Sequence, residues 1–174
     1  MTVTVAPLDD MPDTAAATEL TACCGSSAWV SGMLARRPFA TTDVLLSAAD
    51  EVADTLVEND WLEAFTHHPK IGARSANAAV STTAKSWSAG EQSAVATADT
   101  TVMVALADAN DAYEARYGFI FIVFANGRNA SEILALLRTR MTNERSDEIS
   151  IASAEQRKIT RLRLGKLVMS GDTI

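Results

Sequence analysis

Phe119-Ile120-Phe121-Ile122-Val123-Phe124 decides the fold class, because this is the candidate strand of the chain, apolar, aromatic and β-branched on consecutive residues. Such a run suits a buried extended piece or a buried helical turn, and periodicity does not separate the two. A strand needs a partner, and no second stretch offers one. The expected fold class is therefore all-α, a single-domain helical bundle with one short buried extended segment. Gly118 before the segment is a natural helix C-terminus, and Asn126-Gly127 ends it as a turn.

Helical patterns surround it on both sides. Upstream, Val95, Val102, Leu106, Ala109 and Tyr113 form a stripe that runs to Gly118. Ser88-Ala-Gly-Glu91 has the form of a capping box, which predicts that this longest helix opens at Ser88. Ala73 to Trp87 is rich in Ala, Ser and Thr and weakly periodic, and reads as a loop or a poorly specified helix. Leu45, Leu46, Ala49, Val52, Ala53 and Leu56 make a second stripe from Thr42 onward. A short helix opened by Asp60 with Glu63 carries Trp61, Leu62 and Phe65 inward and is stopped by Pro69. Downstream, Asn129 with Glu132 opens a helix bearing Ile133, Leu134, Leu137 and Met141, and a last helix spans about 149–168 with Ile159, Leu162 and Leu167 inward. Residues 1–14 read as a flexible acidic leader and 15–170 as one helical domain.

The 174 residues suit one domain, and 48% hydrophobic with 21% charged residues is ordinary for a globular protein. Fifteen Lys and Arg against 22 Asp and Glu give a net charge of −7, which disfavours nucleic acid and anionic lipid as partners. No apolar run approaches the ~20 residues of a membrane span. Cys23 and Cys24 are adjacent, so they form neither a zinc-ligand spacing nor a cross-chain disulfide framework, and no metal site is expected. Met1 to Asp13 carries three aspartates and no basic residue, opposite to the cationic start of a secretory signal, and the expected location is cytoplasmic.

No glycine-rich phosphate loop, Gly-x-Ser-x-Gly elbow or His-x-x-x-His pair is present. Chemistry must come from fewer residues. His67 and His68 stand together before Pro69, and a histidine fixed at a helix end is a plausible acid or base near neutral pH. Taken alone, such a histidine more often caps helix carbonyls, and Glu91 in a capping box simply bonds the backbone of Ser88.

A set of ordered motifs shifts that balance. Trp29-Val, Met33, Arg37-Pro-Phe39, Asp60-Trp-Leu, His68-Pro-Lys-Ile-Gly72, Ser88-x-x-Glu91-Gln92, Tyr113 to Phe121, Gly127-Arg128, Arg140-Met-x-Asn143 and Leu162-Arg-Leu164 follow one another with consistent spacing. Together, from about residue 19 to 168, they resemble the 2-oxo-4-hydroxy-4-carboxy-5-ureidoimidazoline (OHCU) decarboxylases of urate breakdown. The resemblance implies an all-helical, cofactor-free homodimer that converts OHCU to (S)-allantoin and CO₂. It implies His68 and Glu91 as catalytic residues, with Ser88, Pro69, Gln92, Arg163 and the backbone of Gly118, Phe119 and Ile120 as substrate contacts. Two departures stand out: Ile120 occupies a position where the family commonly has proline, and His67 stands where a non-histidine is usual.

The substrate's chemistry explains why no cofactor is expected. OHCU carries a carboxylate and a hydroxyl on one ring carbon beside a C=N bond, so the electron pair released with CO₂ has a sink within the ring. Arg161 and Arg163 are about 200° apart on a helix, and Arg163 falls within about 40° of Ile159 on the apolar stripe. An inward arginine must find a partner, either an internal carboxylate or a ligand. Two other functions fit the bare residues: a small helical interaction module in which His68 and Glu91 are only caps, and a related helical enzyme acting on another ureide, for which Ile120 is the discriminating position.

Overall fold

The computed structural model describes residues 6–72, 82–93, 95 and 99–170. Among them are nine α-helices and no strand: α1 (Ala6–Asp10), α2 (Asp13–Cys23), α3 (Ser27–Leu34), α4 (Thr42–Ala53), α5 (Glu58–Thr66), α6 (Thr82–Glu91), α7 (Thr100–Tyr117), α8 (Ala130–Arg140) and α9 (Arg145–Ser170). The all-α expectation holds. The chain divides into two compact units, one built from Met1–Ala64 with Arg157–Ile174 and the other from Phe65–Gln156.

In the first unit α2 packs on α3 and α3 on α4. Trp29 is almost fully buried, and its indole nitrogen donates to the Ala49 carbonyl at 3.2 Å, so the largest core side chain keeps its polar atom paired. Ser26 and Thr41 cap α3 and α4 by accepting from the Trp29 and Val44 amides. On α4, Leu45, Ala49, Val52 and Ala53 are buried as their spacing predicts, and Leu46 is half-buried.

Three local readings need correction here. Residues 6–14, expected to belong to a flexible leader, are tied down: Arg37 donates to the carbonyls of Leu8 and Asp9, each at 2.8 Å, and to that of Met11, and it pairs with Asp13 at 2.8 Å. The Asp9 carboxylate in turn accepts from the amides of Phe39 and Ala40, both at 2.9 Å, and Leu8 is buried. These long-range partners are invisible to local composition. Helix α5 starts at Glu58, and Asp60 sits inside its first turn, where its carboxylate accepts from the Val57 amide at 2.9 Å. Glu63 is not part of a cap on α5; it accepts from the amide and hydroxyl of Ser27, where a carboxylate complements the positive end of α3.

In the second unit α7 packs on α8. Segment 119–124 is neither helix nor strand, and Phe119, Phe121, Ile122 and Val123 are buried. Side chains do the work that a β-partner would do for its backbone. Arg140 donates to the Ile122 carbonyl at 2.7 Å, and Glu155 accepts from the Phe124 amide at 2.7 Å. The phenyl rings of Phe119 and Phe121 pack edge-on to Tyr113 with centroids 5.8 and 5.1 Å apart. Under them lies a buried polar network: Glu148 accepts from Tyr113, from Arg140 and, at 2.8 Å, from Asn143. The apolar surroundings and the Glu148 carboxylate push the Tyr113 phenol well above its usual range.

Helix boundaries in this unit differ from expectation at two places. Ser88 and Glu91 lie in the last turn of α6, not at the start of the long helix, and α7 begins at Thr100 with Asp99 as its cap, accepting from the Thr101 amide at 2.7 Å. A Ser-x-x-Glu spacing of three is a neighbour pair anywhere on a helix, and Asp99 is the stronger start signal. Ala73 to Trp87, read as a loop or a poorly specified helix, is helical over 82–87, and residues 73–81 lie outside the described residues. Asn129 and Glu132 do form a reciprocal capping box on α8. Helix α9 begins at Arg145, a turn earlier than read, and Leu162 and Leu167 are only half-buried while Leu164 and Val168 are buried.

Candidate active site

His68 follows the end of α5, with its amide donating to the Phe65 carbonyl at 3.2 Å and Pro69 restricting its backbone. Only 9% of the residue is exposed. Its Nε2 lies 2.7 Å from Oε1 of Gln156, a residue with no exposed surface. An amide oxygen only accepts, so in this contact Nε2 is the donor.

Ser88 and Glu91 are buried too, on the last turn of α6. The aligned carbonyls at a helix C-terminus repel a carboxylate, so Glu91 sits where the helix gains nothing from it. The helix-cap reading of Glu91 is therefore removed by its position. Next to it, Gln92 accepts from the Gly72 amide at 3.1 Å, which ties motif 68–72 to motif 88–92. Gly72 has φ +75°, a backbone conformation that favours glycine, and an added Cβ would meet the flexible end of Met103, Cε, at 2.9 Å. Asn110 donates to the Ile71 carbonyl at 3.3 Å. Lys70 pairs with Asp111 and Glu114 of α7, both at 2.7 Å, and these carboxylates hold its ammonium more firmly protonated. Lys70 and Ile71 are thus anchored on α7, and Gly72 on the residue that follows α6.

The remaining expected contacts divide between the two units. Gly118 ends α7 with φ +81° and is exposed, Phe119 is buried with its ring 5.4 Å from that of Phe65, and Ile120 is half-buried. These share the second unit with His68, Pro69, Ser88, Glu91 and Gln92. Arg163 belongs to the first unit, where it is 2% exposed and donates to the Ala22 carbonyl at 3.1 Å. Arg161 is exposed and pairs with Asp50 at 2.5 Å, so the two arginines face opposite ways as helix geometry predicts. A crevice in the first unit, lined by Trp29, Trp61, Arg157 and Thr160 among others, holds none of the expected site residues. Cys24 also lines it, and burial pushes this thiol up to about 11, which removes it as a nucleophile near neutral pH.

Sequence reading missed Gln156 and Glu155. Both are buried polar residues on the inward side of α9, where an apolar stripe does not reveal them; the one available signal was that Gln156 lies seven residues, two turns, before Arg163.

Comparison with known proteins bears on the whole arrangement. The OHCU decarboxylase family model matches residues 9–165. The chain belongs to the OHCU decarboxylase family. It is 37% identical over 145 residues to the uric acid degradation bifunctional protein TTL of Arabidopsis thaliana, covering 83% of this chain and 45% of that protein, so it spans less than half of that relative. It is 31% identical over 141 residues to the 2-oxo-4-hydroxy-4-carboxy-5-ureidoimidazoline decarboxylase of Amia calva, covering 76% of this chain and 75% of that one. A crystal structure of OHCU decarboxylase in the presence of (S)-allantoin superposes with a TM-score of 0.75 at 33% identity, covering 91% of this chain and 99% of that one. For this member of the family, the match begins at Asp9, within the segment that Arg37 ties down.

Proposed function

We propose that the chain decarboxylates OHCU to (S)-allantoin and CO₂ in urate breakdown, with His68 and Glu91 as its acid–base pair. The observation that carries the site is the joining of His68-Pro-Lys-Ile-Gly72 to Ser88-x-x-Glu91-Gln92 through Gln92 and Gly72, with His68, Ser88 and Glu91 all buried. Titratable groups withdrawn from water in this way suit proton transfer.

In the reaction the bond from the ring carbon to the carboxylate breaks, CO₂ leaves, and the electron pair moves toward the adjoining C=N. The imine nitrogen and the neighbouring carbon each take a proton, the carbon on one face; the hydroxyl gives up one proton as it becomes the ring carbonyl, and solvent supplies the other. His68, oriented by or sharing a proton with Glu91, acts at the hydroxyl and carboxylate centre. Ser88, Pro69 and Gln92 line the substrate, the backbone of Gly118, Phe119 and Ile120 faces the ring, and the Arg163 guanidinium anchors a ring or ureido oxygen. Holding the carboxylate out of the ring plane is the orienting task of these contacts.

The enzyme is further proposed to act in the cytoplasm as a homodimer; no described helix is long and apolar enough to cross a membrane. The deciding experiment supplies freshly generated OHCU with a strong chelator present and follows allantoin by circular dichroism. Optically active product is expected. Racemic product at the uncatalysed rate would remove the decarboxylase reading, and loss of activity that a divalent metal restores would remove the cofactor-free one.

A further inference from the structure

The His68 ring is contacted from outside the family motifs. The backbone of His68 is held by the Phe65 carbonyl and by Pro69, and the ring has its own torsions and two tautomers to be chosen between. Gln156 makes a direct contact to that ring. It comes from α9, 88 positions away in the chain, and its Oε1 meets Nε2 at 2.7 Å. The glutamine is fully buried on a face that also carries Ala152 and Ile159, where an unpaired amide is costly. Its neighbour Glu155 holds the Phe124 amide, so this turn of α9 anchors the irregular segment with one side chain and the histidine with the next.

We propose that Gln156 is the positioning residue of the catalytic histidine, holding it as the Nε2–H tautomer with the basic lone pair on Nδ1; this rests on the assignment of His68 as catalytic. The choice of an amide matters. A carboxylate at this place would both orient the ring and stabilise its imidazolium form, as in an Asp-His pair, whereas an amide oxygen orients it without adding charge. Glu91 is then the carboxylate assigned to share a proton with His68, and the two duties of orientation and proton exchange fall on different side chains.

Long-range proton–nitrogen correlation spectra of the uniformly ¹⁵N-labelled protein report the tautomer directly, with His68 identified by the signals lost in His68→Asn. The parent is expected to show the Nε2–H pattern; an Nδ1–H pattern overturns the proposal without any variant having to fold. Gln156→Leu is expected to lose the single-tautomer pattern and to lower kcat roughly 10- to 100-fold, the range found for partners that orient a functional histidine, with KM little changed. Gln156→Glu keeps an acceptor at the same reach and is expected to keep Nε2 protonated while extending the imidazolium pattern to higher pH than in the parent. If folded Gln156→Leu keeps both the ring pattern and kcat while His68→Asn is inactive, Gln156 has no positioning role and the catalytic reading stands. If His68→Asn turns over normally, the catalytic reading fails instead.

Discussion

His67 and His68 are adjacent and chemically identical, and the difference between them is what each can reach. His68 alone precedes the proline and pairs with Gln156, while His67 is half-buried beside it. His68→Ala is expected to lower turnover by ~10²- to 10⁴-fold, the usual range for losing a general acid or base, with some loss of melting temperature because Gln156 loses a buried partner, and His67→Ala to keep most of the turnover. Equal losses in steady-state assays would undo the assignment. For Glu91 the prediction is sharper than sequence allowed, because the residue ends α6 instead of opening α7. Glu91→Gln removes a charge from the unfavourable end of α6, so thermal unfolding is expected to be unchanged or slightly higher while activity is nearly lost. A fully active Glu91→Gln would show that His68 works without it. Arg163→Lys is expected to weaken substrate use strongly, since an ammonium lacks the planar fork, whereas Arg161→Lys changes only an exposed pair with Asp50. Kinetics with matched circular dichroism spectra compare the two; an active Arg163→Lys beside a crippled Arg161→Lys would reverse the assignment.

At the level of elements, the informative junction is the end of α7. Gly118 sits at φ +81° with open space around the place a Cβ would occupy, so the only cost of Gly118→Ala is backbone conformation. That cost is about 1 kcal/mol for a left-handed residue and should appear in chemical denaturation. Because Gly118 also directs the chain into Phe119 and Ile120, a rise in KM is expected alongside it. An unchanged KM would mean that the segment keeps its course without the glycine. The same junction shows how far local reading extends. The glycine stop, the Asn129–Glu132 box and the α4 stripe are all written in neighbouring residues, and the structure has them where the pattern puts them. The Ser88–Glu91 pattern misled because a spacing of three serves a cap and a mid-helix pair equally well.

At the level of the whole molecule, stability carries a pH signature at the alkaline end. Burial raises the Cys24 thiol from 9.0 to about 11, and burial with the Glu148 bond raises the Tyr113 phenol as well. Both groups keep their protons longer when folded than when unfolded. The thiol's contribution is therefore complete below its unfolded value near 9 and is lost as pH rises through about 11, while the phenol's begins to be lost only above 10. Urea midpoints are expected to be level up to about pH 9 and to fall above it, with Cys24→Ala showing a shallower fall between 9 and 11. Identical slopes for the two proteins would mean that the thiol is not shielded when folded.

The sequence alone determined the helical class, since one apolar run without a partner cannot make a sheet, and it determined the family through motifs whose order and spacing survive without coordinates. It also placed Arg163 inward and Arg161 outward, because helix geometry follows from residue number. Tertiary structure decided the rest. That Arg37 ties down residues 6–14, that Glu91 ends a helix instead of starting one, and that Gln156 meets His68 all depend on partners tens of residues away. Periodicity detects apolar burial, which is summed over a stripe and tolerates error; a buried polar contact is a single directed bond, and its partner is chosen only when the chain has folded.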